Sequence, residues 1–209
     1  MTFIEALNWR YATKRMNGRQ IPTEKLNNIL EAVQLAPSSF GLTPYHVIIV
    51  EDPAMKEKLS ASCYNQPQIK ESAALLIFAP WKNITEAQVD EYINEIATTR
   101  GIPAEALADF AGVIKGKVNS SSATDLHTWA ARQAYIALGF GLAAAAVEEV
   151  DATPMEGFNP AGVAEVLGLD EKGLAPVCIL ALGYRDAEQD YLANAKKVRR
   201  GQEKLFIKH

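Results

Sequence analysis

The sequence predicts a single domain of the α+β sandwich class. Its 209 residues, 48% of them hydrophobic, are enough to bury a sizeable core. Three runs of strand length, HVIIV (46–50), SAALLIFA (72–79) and PVCILALG (176–183), show no polar alternation, so each needs cover on both faces of a sheet. Segments of helical period outnumber these strands and supply that cover.

In chain order, a first helix spans about 2–8, opened by Thr2 and Glu5 as a capping box. A second begins at Thr23, carries Leu26, Ile29, Leu30 and Val33 on one face, and must stop by Pro37. After HVIIV comes a helix over 53–62, and Pro67 marks the start of another. Residues 85–118 read as one or two helices broken at RGIPAE by Gly101 and Pro103. The Ala-rich stretch 125–149, with Trp129 and Tyr135, is the expected central packing helix, and NPAGVAEVLGL is a short helix after a turn. Beyond Arg185 the helix and strand signals fade, leaving an arm whose Leu205–Ile207 tip needs an apolar surface to rest on.

Composition narrows the function classes. No uninterrupted apolar run reaches the roughly 18 residues of a membrane span, and the N-terminal stretch lacks the apolar core of a signal peptide, so a soluble, cytoplasmic protein is expected. Cys63 and Cys178 are too few for a disulfide framework. His46, His127 and His209 are scattered without ligand spacing, and no metal site is expected. The net charge of −4 conceals a strong asymmetry. Arg10, Lys14, Arg15 and Arg19 face one acidic residue within the first twenty positions, and six basic residues from Lys196 to Lys208 face one near the end. The remainder holds 11 basic against 23 acidic residues, a body that argues against extended duplex binding. The basic ends suit solvated tails, a nucleic-acid patch or two halves of one anion site.

Several motifs carry chemistry only in combination. GFGLAA (139–144) has dinucleotide-fingerprint spacing, but the preceding stretch is helical rather than a strand, so small residues for close helix packing are the better reading. Ser38 and Ser39 beside Gly41 form either a plain helix-end turn or a pair of hydroxyls suited to a polyol. Asn65 and Gln68 offer amides that both donate and accept, as a heterocycle edge requires. Gly157, in TPMEGF (153–158), sits in a tight turn whose backbone N–H groups can face a ligand.

Taken in order, RYATK (10–14), APSSFGLTPYH (36–46), YNQPQ (64–68), PMEGF (154–158) and KVRR (197–200) resemble the nitroreductase family of flavin-dependent oxidoreductases across nearly the whole chain. The resemblance implies FMN as cofactor, NAD(P)H as electron donor, and a mixed β-sheet covered by helices. It also implies a domain-swapped homodimer in which a C-terminal arm, about 185–209, wraps the partner. Arg10, Lys197 and Arg199 would hold the phosphate, with Tyr11 and Ala12 in the same strip, Ala12 through its backbone N–H alone. Lys14 would sit by the pyrimidine edge, where a cation raises the reduction potential. Asn65 and Gln68 would bond that edge too. Glu156 and Gly157 would present backbone N–H groups to the hydride-accepting position, with Pro154 and Met155 packed nearby. Pro37 would end a helix so that Ser38, Ser39 and Gly41 reach the cofactor of the partner subunit. On this basis the chain would reduce nitroaromatics, quinones or similar flat acceptors by a ping-pong mechanism, with about 100–125, including Phe110, as a lid. The alternatives are another redox reaction on the same fold, such as dehalogenation or dehydrogenation, or a non-catalytic flavin- or anion-binding protein.

Overall fold

Thr2 opens the first helix, α1 (Phe3–Trp9), through the expected capping box with Glu5. The structure, a computed structural model, describes residues 1–208; His209, one of the three histidines in the sequence, lies outside the described residues. Helix α2 (Thr23–Gln34) buries Leu26, Ile29 and Val33, and is capped at Leu35, just before Pro37. Strand β1 (Tyr45–Val50) leads through α3 (Pro53–Ser62) and α4 (Pro67–Glu71) into β2 (Ala74–Pro80). Both helices carry proline in their first turn, where its missing N–H costs no hydrogen bond. An excursion of α5 (Glu86–Arg100) and α6 (Ala108–Asn119) precedes the long α7 (Ala123–Val147). Strand β3 (Asp151–Met155), α8 (Pro160–Leu167), β4 (Cys178–Gly183) and α9 (Gln202–Leu205) complete the chain.

Strand order is β1-β2-β4-β3, and every neighbouring pair is antiparallel. The expected mixed sheet is therefore corrected to an antiparallel one. Strands β2 and β3 share a direction, but β4 inserts between them; β2 likewise separates β1 from β4. Strand β3 is also absent from the sequence reading, which places a tight turn over 153–158 around Gly157; Pro154, which cannot donate to a ladder, stands within the observed strand. The edge position resolves the conflict, since one face of an edge strand needs no partner.

Both faces of the sheet are covered. Leu76, Phe78, Leu180 and Leu182 pack beneath α2 and α7, and Leu75, Ile77, Ile179 and Ala181 pack beneath α3, α4 and α8. Helix α7 is long and apolar enough to cross a membrane by length and composition, contrary to the run-by-run reading, and its buried residues join this core. A third cluster, with Ile93, Ile114, Leu126 and Trp129, unites α5, α6 and the first half of α7 beside the sandwich.

Close packing explains one of the two glycines of α7. A Cβ on Gly141 would stand 3.0 Å from Val33 Cγ2 and 3.3 Å from Leu180 Cδ2, so α7 approaches α2 and β4 at this point, as the small-residue reading expects. Gly141→Val is expected to lower stability by about 1–3 kcal/mol through overpacking. A denaturant titration checks this, with Gly139→Val, where nothing stands within 4 Å, as the mild control.

Candidate functional site

The extended segment after α1 is fastened to the start of β3 by buried polar groups. The Thr13 hydroxyl donates to Asp151 Oδ1 (3.2 Å), and the Thr153 hydroxyl donates to the Thr13 carbonyl (2.7 Å). Asp151 also receives the Arg185 backbone N–H and a bidentate contact from its guanidinium, with Nη2 at 2.6 Å and Nε at 2.9 Å. That guanidinium lies over the rings of Trp9 (4.4 Å) and Tyr11 (4.6 Å). From the opposite side Asp190 accepts the Tyr11 hydroxyl (2.9 Å), the Lys14 N–H (2.7 Å) and the Leu192 N–H (2.9 Å). Burial pushes the Asp190 carboxyl up, but these donors outweigh it and hold the group below the ordinary carboxylate range.

This fastening brings the two basic ends of the chain together. Lys197 donates to the carbonyls of Leu7 and Arg10, both at 2.5 Å, and so caps the C-terminus of α1. Arg10, Lys197 and Arg199 lie close enough to repel one another. Burial first, then Arg199, lowers the Arg10 pKa despite the pull of Asp151, and burial with both arginines lowers that of Lys197. None of the three has an ion-pair partner among the described residues. Arg10 Nε is buried without a hydrogen-bond acceptor among the described residues. A cluster of this kind is completed by an anion bearing several oxygens.

The other end of β3 carries the turn from Pro154 to Gly157, and α4 runs between the two ends. Gln66, just before α4, donates to the Gly157 carbonyl (2.5 Å), whereas Glu71 at its far end accepts Arg15 Nε (2.9 Å) and the Met16 N–H (3.0 Å). Gln68 therefore sits along this wall; it is 4% exposed, and its Oε1 has no donor. An orphaned buried acceptor costs about 1–3 kcal/mol, and a ring imino N–H would satisfy it. Tyr64 and Asn65 both adopt left-handed backbone, at φ 55° and 52°, holding the exposed Asn65 at the head of α4. The half-buried Lys14 side chain has no polar partner among the described residues. At the turn itself, the Tyr135 hydroxyl donates to Glu156 Oε1 (2.6 Å) and to the Val177 carbonyl (3.3 Å), and Glu156 and Gly157 are both exposed residues.

The structure thus gathers Arg10, Tyr11, Ala12, Lys14, Gln68, Lys197 and Arg199 around β3, with Asn65 and the run Pro154, Met155, Glu156 and Gly157 at its far end. It does not gather Pro37, Ser38, Ser39 and Gly41 with them. That loop precedes β1, on the opposite edge of the sheet, about three strand spacings or 14 Å away. Its bonds stay local: the Ser39 N–H donates to Gln133 Oε1 (2.8 Å) and the Thr43 N–H to Ser38 Oγ (2.9 Å).

Sequence reasoning passed over Asp151, Arg185 and Asp190, which fasten the segment, and Gln66, Gln133 and Tyr135, which hold the turns. Only Gln66 carried a signal, being inside the quoted YNQPQ. The cysteines are spectators, since burial pushes the Cys63 thiol up to about 11 and the Cys178 thiol up to about 12.

An antiparallel sandwich with a basic corner at one end of an edge strand and hydrogen-bonding groups at the other can take an anion-tailed planar ligand. The pattern of the Nitroreductase family matches residues 7–184, and the chain belongs to that family. Among its relatives is the major NAD(P)H-flavin oxidoreductase of Aliivibrio fischeri, 30% identical over 97% of this chain and 96% of its own. Another, from Staphylococcus saprophyticus and provisionally named an NAD(P)H nitroreductase, is 32% identical over 90% of each chain. The fold matches that of an Exiguobacterium sibiricum protein crystallised in complex with FMN, with a TM-score of 0.83 and 20% identity over 100% of this chain and 98% of that one.

Proposed function

We propose that the chain is an FMN-dependent NAD(P)H oxidoreductase that reduces nitroaromatics, quinones or similar flat conjugated acceptors. The observation that carries this reading is the unpaired Arg10, Lys197 and Arg199 cluster at one end of β3, with the orphaned Gln68 acceptor on the wall that leads to the other. A strand of five residues is about 17 Å long, room for a phosphate at one end and a ring system at the other. When bound, FMN would supply the hydride chemistry, accepting from NAD(P)H and passing two electrons to the acceptor.

The residues of the chain bind, orient and tune. Arg10 and Arg199 would hold the phosphate, with Lys197 tying the C-terminal segment to α1, and the strip of Tyr11 and Ala12 alongside. Asn65 and Gln68 would fix the pyrimidine edge. Lys14 would place a positive charge beside it, and the Glu156 and Gly157 N–H groups would face the reacting side. Donor and acceptor would use one exposed face in turn, which predicts ping-pong kinetics.

The site would be shared between two copies, because Ser38, Ser39 and Gly41 lie on the far edge of the sheet from the corner their own chain builds. Exposed Phe3, Ile136, Phe140 and Val147 line an apolar groove of about 610 Å³ suited to a homodimer contact. Exposed Val198, Leu205, Phe206 and Ile207 would lie on the partner as the C-terminal arm. Two free, buried cysteines suit a cytoplasmic setting.

The direct test is the visible spectrum of the purified protein, followed by anaerobic addition of NAD(P)H. Flavin bands that bleach support the reading; a protein that stays colourless after incubation with FMN overturns it. Lys14→Ala is expected to lower the flavin midpoint potential by tens of millivolts, the effect of about 1 kcal/mol of charge stabilisation on a two-electron couple. A redox titration in which the potential does not move would remove Lys14 from the ring.

A further inference from the structure

Loop 38–43 is bent in a way its residues do not favour. Phe40 (φ 58°), Gly41 (φ 77°) and Thr43 (φ 48°) all lie in the left-handed region, where side chains other than those of glycine and asparagine are costly. Such a bend persists only when its surroundings impose it, and here they come from α5, α6 and α7. The Tyr92 hydroxyl, on α5, donates to the Phe40 carbonyl at 2.8 Å. The same hydroxyl fills the space in which a Cβ on Gly41 would lie. The Phe40 ring is wedged edge-on between Phe110 of α6 (6.2 Å) and Trp129 of α7 (6.0 Å). Tyr92 and Phe40 belong with the cluster that unites α5 and α6, not with the sheet core.

We propose that Tyr92 is a positioning residue for cofactor retention: its hydroxyl locks the Ser38–Gly41 loop in its bent form, so that α5 and α6 govern how tightly flavin is held. The inference rests on the reading above, in which this loop reaches FMN across a dimer. Helix α6, within the 100–125 stretch expected to cover the acceptor, also packs Phe110 against Phe40 in the loop that would clasp the cofactor. A movement of α5 away from Phe40 releases both together.

The test compares wild type with Tyr92→Phe, which removes one oxygen and keeps the ring. In flavin-free protein, amide hydrogen exchange at Gly41 and Leu42, which donate to Ser38 and Ser39, is expected to rise about tenfold while the amides of α2 and β2 stay as they were. The dissociation constant for FMN, from fluorescence titration, is expected to weaken about tenfold, with an altered visible circular dichroism band. A double-mutant cycle adds Gly41→Ala, which is expected to harm FMN binding less in the Tyr92→Phe background, where the obstructing oxygen is gone. Unchanged exchange in the loop overturns the lock whatever the flavin does. Faster exchange with an unchanged dissociation constant overturns its link to retention. Wild type that binds no FMN overturns the flavin reading and with it this link, while the exchange data still report on the lock.

Discussion

Arg10→Ala is expected to weaken FMN binding by about 10–150-fold, the effect of about 1.5–3 kcal/mol for a hydrogen bond to a charged group, and to yield a largely colourless protein on purification. The reason lies in the surroundings of the side chain. Its Nε is buried without an acceptor among the described residues, and the pull of Asp151, which is already engaged by Arg185 and Thr13, is outweighed by burial and the repulsion of Arg199. Arg199→Ala should show the same effect in a milder form, because Arg199 is exposed and already donates to the Val198 carbonyl. The check is a titration with FMN and with riboflavin, which lacks the phosphate. Both variants should lose affinity for FMN and keep that for riboflavin. Equal losses for the two ligands, or none, would remove these arginines from the phosphate site.

The second large effect is on stability. Asp151→Ala is expected to destabilise the fold by about 3 kcal/mol, the low end of the cost of breaking a buried ion pair, because the Arg185 left behind keeps a side chain 24% exposed. The Asp151 side chain is 3% exposed and takes donors from both Arg185 and Thr13. For a chain of this length that corresponds to a melting temperature lower by roughly 10 °C. Asp151→Asn keeps an acceptor and should fall between. A calorimetric melt decides the matter: a shift of only a degree or two for Asp151→Ala would mean that solvent screens the pair.

How far the site could be read from the sequence follows from the range of the interactions involved. The basic ends were legible because charge is counted without knowing the fold, and opposite ends of an acidic chain are a visible imbalance. Apolar runs disclosed β1, β2 and β4, since burial on both faces leaves a composition mark. Strand β3 left none: its Pro154 is a breaker everywhere except on an edge, and edge position is a property of the assembled sheet. Asp151, Arg185 and Asp190 were equally hidden, because a carboxylate that meets its donors across the fold looks like any surface acid. Ser38 and Ser39 are expected at the site of a partner rather than beside the Arg10 of their own chain, and the order of strands keeps them on the opposite edge of the sheet from it.

The staple at Asp190 has a consequence for the biogenesis of the site. Tyr11 and Asp190 are 179 positions apart, and Arg10 and Lys197 are 187 apart. During synthesis the N-terminal half of the basic corner leaves the ribosome long before its complement exists, so the corner closes only after almost the whole chain has emerged. Capture of an anion at this corner would therefore be a late event, and a chain cut short before Asp190 would contain every strand of the sheet yet lack the clasp.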